Sequence, residues 1–218
     1  MRAITLLILS GCVSLATYQT PYTTKEDELS WGLSISGYGA FSDDLVGIPV
    51  SIPALYLRYG LSDNMDLGFS FVGFPFFGTT YLDLKNQFIR GENFAGSFSI
   101  GTGFWFWPAQ IDNIRNFTIL QPFFGLSFGN KRIYAGTKIQ YFLFSYQEQK
   151  YGQYEWLRRS ASAFMPSAFL GFTLGKGSFK FVPEFDLMLP LSATDTRGEV
   201  VPLSGIIFSY TFGFLYIP

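Results

Sequence analysis

The sequence predicts an all-β chain, a single up-and-down antiparallel barrel of about ten strands, and three observations carry that expectation. From Leu29 to Tyr216, apolar residues recur at every second position in run after run, the period of a strand and not of a helix. The 23 glycines fall largely within those runs, where each would cost a helix about 1 kcal/mol. Tight turns and longer connections alternate along the chain, as they do when each strand reverses the last.

Composition says what the faces of such strands meet. Of the 218 residues, a length common for one all-β domain, 48% are hydrophobic and 20% aromatic, but only 14% are charged. Soluble domains carry roughly 25% charged residues. So few charges cannot furnish an ordinary water-exposed surface, and the apolar faces are expected to meet lipid. The sequence has no apolar run long enough for a transmembrane helix. A net charge of -1 gives no electrostatic reason to expect nucleic acid as a partner. One cysteine and no histidine leave neither a disulfide framework nor the commonest metal ligand and general base, so no metal, cofactor or catalytic site is expected.

The strands follow in order. Leu29, Trp31, Leu33 and Ile35 alternate with Ser30, Gly32, Ser34 and Ser36 in a first strand reaching Phe41, before a loop at 43–49. The clearest hairpin spans 54–72: Leu55, Leu57, Tyr59 and Leu61 share one face and Ala54, Tyr56, Arg58 and Gly60 the other. After the turn Ser62-Asp63-Asn64, Leu67, Phe69 and Phe71 alternate with Asp66, Gly68 and Ser70. A short apolar connection at 75–79 precedes a strand at 81–88, where Leu82 and Leu84 oppose Asp83, Lys85 and Gln87. Asn86 falls on the apolar face there, pointing to a bulge or a position near the interface.

Beyond the turn at 90–93, Phe94, Phe98, Ile100, Phe104 and Phe106 alternate with Ala95, Ser97, Ser99, Gly101, Gly103 and Trp105, and a polar loop is expected at 108–116. Leu120, Pro122, Phe124, Leu126 and Phe128 then oppose Ile119, Gln121, Phe123, Gly125 and Ser127. Past Gly129-Asn130-Lys131, Ile133, Ala135, Ile139, Tyr141 and Leu143 oppose Tyr134, Gly136, Lys138 and Gln140. The longest polar stretch, 147–160, is expected to be an outer loop. Phe164, Ala168, Leu170, Phe172 and Leu174 lead to the turn at 175–178; Phe179, Phe181, Phe185, Leu187 and Leu189 then oppose Lys180, Val182, Glu184 and Asp186. A loop at 190–202 precedes the last strand, with Ile206, Phe208, Tyr210, Phe212, Phe214 and Tyr216 on its apolar side.

Residues 1–11 read as a secretory signal, with Arg2 as the positive end and Ile4-Thr5-Leu6-Leu7-Ile8-Leu9 as an apolar region too short to cross a bilayer. They lead into Leu9-Ser10-Gly11-Cys12, which resembles the lipobox of bacterial lipoproteins. The resemblance implies that the Cys12 thiol receives a diacylglyceryl group, that the signal is cut before it and that the new N-terminus is acylated, palmitate being such an acyl group. With Val13 and not Asp after the cysteine, it further implies delivery to the outer membrane by the lipoprotein-sorting machinery. Residues 12–28, polar and Thr-rich without periodicity, are expected to form a lipidated periplasmic tether.

At the other end, Thr211-Phe212-Gly213-Phe214-Leu215-Tyr216 resembles the C-terminal signal read by the barrel-insertion machinery, departing from it in finishing on Pro218. Together, 29–218 resembles an outer-membrane β-barrel of a diderm bacterium, with short periplasmic turns and longer outer loops.

Parity places Arg58, Lys85, Lys138 and Lys180 in the lumen with Asp66, Asp83, Glu184 and Asp186, a balanced set expected to act as a plug. Ser97, Ser99, Gly101 and Gly103 mark the wall where space for a narrow polar path is expected if the lumen is open. Glu184 and Asp186 are the one acid pair spaced for acid-base work, but the barrel enzymes of known kind, omptin proteases and outer-membrane phospholipase among them, rely on a histidine that is absent here. In the longest loop, Lys150, Tyr151, Tyr154, Trp156, Arg158 and Arg159 form a candidate contact surface for lipopolysaccharide or a surface partner, or part of the aromatic girdle. The first functional expectation is a non-enzymatic, lipid-anchored barrel with a largely filled lumen, in an envelope-structural or surface-interaction role, its main partner outer-membrane lipid. A narrow channel or carrier for small solutes is the second. The third is a lipid-tethered soluble calycin-like barrel, in which the Phe-rich faces would point inward around an apolar ligand.

Overall fold

A computed structural model describes residues 20–42, 45–46, 50–74, 77–107, 114–149, 156–194, 199–202 and 205–218. Cys12 and the signal, together with Lys150, Tyr151 and Tyr154, lie outside the described residues.

Ten long strands form the wall: β1 (Leu29–Ser42), β2 (Val50–Ser62), β3 (Met65–Phe74), β4 (Phe77–Arg90), β5 (Ala95–Trp107), β6 (Ile114–Gly129), β7 (Ile133–Gln149), β8 (Trp156–Phe172), β9 (Phe179–Met188) and β10 (Ile206–Tyr216). Each pairs antiparallel with its sequence neighbours, and β10 pairs back onto β1 from Trp31↔Tyr216 to Phe41↔Ile206, which closes the sheet. The protein is thus a closed ten-stranded up-and-down barrel. Closure pairs the backbone groups along the wall without leaving an edge, the condition that hydrocarbon imposes on any spanning structure.

Alternation sorts the faces as the period-2 pattern requires. Leu33, Ile35, Leu67, Leu82, Ile100, Phe124, Ile139, Phe185 and Phe212 are exposed, while Ser36, Asp66, Lys85, Ser99, Gln140, Glu184 and Thr211 are buried. The apolar belt therefore faces out and the polar side chains face in, which removes the reading as a soluble calycin-like barrel. We call the end bearing the tight turns the turn end and the other the loop end. At the turn end, the Asn130 side-chain oxygen accepts hydrogen bonds from the backbone N–H of Arg132 (2.8 Å) and Ile133 (3.0 Å), closing the β6–β7 hairpin.

The elements depart from the sequence reading in five places. The stretch 147–160 is mostly strand: β7 and β8 pair as far as Gln149↔Trp156. Beyond the apolar belt both faces of a strand meet water, so the alternation that would have revealed it disappears. The expected loop at 108–116 is shorter because β6 begins at Ile114, carrying a bulge in which Asn116 takes a positive φ of 51°. At the short connection expected at 75–79, residues 77–79 already belong to β4, which pairs with β3 as far as Phe74 opposite Phe77. Within 190–202, Ser192–Thr194 pairs with Val200–Pro202 and also adds to the loop-end part of β8. Finally, residues 20–28 do not hang as a tether but are seated in the turn end of the barrel. The bulge foreshadowed by Asn86 lies between Gln87 and Ile89.

Candidate functional site

The lumen concentrates the protein's ionisable chemistry, and the register explains why its groups meet. Arg58, Gly68 and Asp83 lie side by side on β2, β3 and β4, and the next row holds Gly60, Asp66 and Lys85. A Cβ on Gly68 would overlap Asp83, so the bare backbone there lets the Arg58 guanidinium cross to β4. Arg58 Nη2 lies 2.6 Å from both Asp66 Oδ1 and Asp83 Oδ1, Nε donates to Asp66 at 2.9 Å, and Nη1 donates to Asp83 Oδ2 at 3.3 Å. Lys85 Nζ adds a 3.6 Å contact with the other Asp66 oxygen. Such pairs are stable in a buried site because every charge has several partners.

The N-terminal segment completes this cluster. The Thr24 backbone N–H donates to Asp66 Oδ2 at 2.9 Å, and Lys85 Nζ donates to the carbonyls of Thr20 (3.1 Å) and Tyr22 (2.8 Å). Thr23 donates to the Gln87 side-chain oxygen from both its N–H and its hydroxyl. Asp27 and Glu28 exchange backbone hydrogen bonds with Gly60, and a Cβ on Gly60 would overlap the Lys25 carbonyl. Glycine at 60 is what lets a second chain run this close to β2. Beneath the segment lies a cavity of about 80 Å³, lined by Tyr22, Tyr56, Arg58 and Asp83, and outside it opens a vestibule of about 630 Å³.

Farther round the wall, Tyr134, Gly171 and Glu184 repeat the same device on β7, β8 and β9: the Tyr134 ring covers the glycine and its hydroxyl donates to Glu184 at 2.7 Å. Ser209 donates to Asp186 at 3.2 Å, and Lys138 is buried within electrostatic reach of Asp186, Glu184 and Asp83. A third instance, Tyr81 over Gly103, donates to Gln121 Oε1 at 2.9 Å. Gln121 then donates to Gln140, and Gln140 to Ser167 at 3.3 Å, carrying a polar chain across the five strands from β4 to β8. Gly101 and Gly103 therefore mark no open path, because Asp83, Phe123 and Tyr81 occupy the space beside them. Ser97 and Ser99 are buried, and Ser97 bonds Ser127 at 2.8 Å.

Toward the loop end the inward side chains turn apolar. Trp105 meets Phe117 edge to face with centroids 5.2 Å apart, Phe142 stacks on Phe144 at 6.1 Å, and Phe117 joins the two pairs. Ile52, Val72, Ile119, Ala163, Met165 and Met188 are buried with them. Sequence reading named only the charged set as the filling of the lumen and did not single out this layer. Its signal was available in Trp105 and Ile119, inward positions approaching the loop connections.

The remaining sequence-derived candidates are dispersed. Lys180 stands apart from the lumenal charges: it is half-buried at the turn-end rim, and its Nζ donates to the Gly175 carbonyl at 3.2 Å. Trp156, Arg158 and Arg159 lie on β8 and not in a loop. Arg115 sits over the Trp156 ring at 4.1 Å, Arg159 pairs with Glu148 at 3.1 Å, and Arg158 Nε donates to the Ser145 hydroxyl at 3.2 Å. Among the described residues, no group of three His, Cys, Asp or Glu is placed to hold a metal ion.

Fold and outward belt together define a transmembrane β-barrel of the outer-membrane kind. No protein-family model matches the chain, and no curated protein matches it in sequence. Among solved structures, it is similar to the outer-membrane protease OmpT from Escherichia coli at 10% identity, covering 90% of this chain and 99% of that one, with a TM-score of 0.48. It is similar to Ail, the attachment invasion locus protein of Yersinia pestis, at 12% identity over 88% of this chain and 98% of that one, TM-score 0.39. The translocator domain of the autotransporter NalP from Neisseria meningitidis is 12% identical over 99% of this chain and 94% of that one, TM-score 0.41. At these identities and scores, none of them assigns an activity or a residue to this chain.

Proposed function

We propose that the chain is a lipid-anchored outer-membrane barrel without catalytic activity, its lumen closed to solutes, serving in envelope structure or surface interaction. The observation that supports this best is the continuous filling of the lumen: charged cluster, glutamine chain and aromatic layer succeed one another from the turn end to the loop end. Glu184 and Asp186 are engaged by Tyr134 and Ser209 inside that filling, a poor position for meeting a substrate. Short turns lie on the periplasmic side of bacterial barrels, so the turn end and the docked segment 20–28 face the periplasm. Cys12 then anchors the chain on that same side through its lipid.

Solute flux tests the closed lumen. Liposomes bearing the folded protein should show no swelling in small sugars and no ion leak beyond that of empty vesicles, and size-dependent swelling would replace this reading with that of a narrow channel. The anchor has its own test: palmitate labelling should vanish on Cys12→Ala, and labelling that persists would contradict it.

A further inference from the structure

One patch of the outer wall breaks the rule that the outward face is apolar. Near the loop end, the register aligns Thr118, Ser145 and Ser160 in one outward row across β6, β7 and β8. Leu120, Leu143 and Ser162 form the next row toward the turn end, and Thr194 extends it onto the short added strand. The small serines on β8 leave a groove of about 540 Å³, lined also by Tyr141 and Arg158. Tyr141 donates to Ser162 at 2.9 Å. Arg158 is exposed one row beyond, toward the loop end. Its Nε is spent on Ser145, and among the described residues Arg158 forms no ion pair, whereas its neighbour Arg159 pairs with Glu148.

The groove straddles a chemical boundary. Toward the turn end the same strands present Leu120, Phe124, Ile139 and Leu170, all exposed and apolar; toward the loop end they present hydroxyls and a guanidinium. A soluble anion would find no reason for the leucine floor, and a plain hydrocarbon none for the hydroxyls and the cation. An amphiphile satisfies both, with a phosphate against Arg158, head-group oxygens on the serine and threonine hydroxyls, and acyl chains along Leu120 and Leu143. We propose that this groove binds the phosphorylated headgroup of an outer-leaflet lipid. The choice of leaflet rests on the reading that the loop end faces outward.

The test uses the full chain folded in zwitterionic detergent, with folding verified on unheated gels, and native mass spectrometry after adding a bis-phosphorylated acylated glucosamine disaccharide. One lipid should be retained per barrel, about tenfold less by Arg158→Gln, the effect expected when charge-assisted hydrogen bonds are lost. Arg90→Gln at the opposite end should retain it like the unsubstituted chain. The dephosphorylated form of the same lipid should bind like the Arg158→Gln case. Equal retention by Arg158→Gln, equal retention of the dephosphorylated lipid, or an equal loss with Arg90→Gln would each overturn the site. Orientation is read separately, by labelling Gln149→Cys and Asn130→Cys in intact cells with an impermeant maleimide. Labelling at 149 alone supports the outer leaflet; labelling at 130 alone overturns that assignment, whatever the binding in detergent shows.

Discussion

Toward its turns the lumen is filled by charges that hold one another across glycines; toward its loops it is filled by rings and aliphatic chains that only pack. Arg58 reaches two carboxylates because Gly68 between them has no side chain, and Asp66 is held besides by Lys85 and the Thr24 N–H. Trp105, Phe117, Phe142 and Phe144 instead pack against one another and against the buried aliphatic residues around them. The difference teaches that one half is specified by stoichiometry and the other by volume. Removing a partner from the first leaves a buried charge unpaired, whereas trimming the second leaves a cavity that its neighbours partly close.

The largest effect should come from Asp66→Ala, which strips a fully buried carboxylate from Arg58, Lys85 and the Thr24 N–H together. A loss of about 3 to 5 kcal/mol is expected in reversible urea unfolding from lipid vesicles. Added salt should recover little of it, since buried pairs are weakly screened. Ile119→Ala in the apolar half should cost about 2 to 4 kcal/mol by cavity formation. A loss there as large as that for Asp66→Ala would erase the distinction between the halves.

Gly60→Ala probes the join between the barrel and its N-terminal segment. The added Cβ overlaps the Lys25 carbonyl, so the docked segment should be displaced at about 1 to 3 kcal/mol. Trypsin should then cut after Lys25 in the variant while sparing that bond in the unsubstituted chain. Lys180→Ala should matter least, within about 0.5 kcal/mol, because its ammonium meets only a turn carbonyl at the rim. A larger loss would return Lys180 to the lumenal network.

The wall was legible in the sequence because lipid outside and a packed lumen inside demand opposite chemistry at alternate residues, and that demand writes itself as period 2 through Leu67, Phe69 and Phe71 against Asp66, Gly68 and Ser70. The inward position of Arg58, Lys85, Lys138 and Glu184 followed from the same parity. Their partners did not, since register across strands is set by turns and bulges such as that between Gly60 and Ser62. The inward glycines misled for a related reason: Gly101 and Gly103 read as vacant wall, when each makes room for a large side chain from the neighbouring strand. Docking of residues 20–28 was illegible because it rests on backbone groups of Thr20, Tyr22 and Thr24, which any polar sequence would offer. The strands beyond the belt were missed where Gln147 to Gln149 and Trp156 to Ser160 carry polar residues on both faces and so break the alternation.

Whether the two halves close the lumen independently is read from single-channel conductance in planar bilayers. Two proteins suffice: the folded full chain and the same chain lacking residues 20–28. Both should be silent, because the layer around Trp105 and Phe142 remains shut when the turn end is uncovered. Discrete conductance steps from the full chain would contradict the closed lumen outright, and steps appearing only on deletion would show that the N-terminal segment alone was holding it closed.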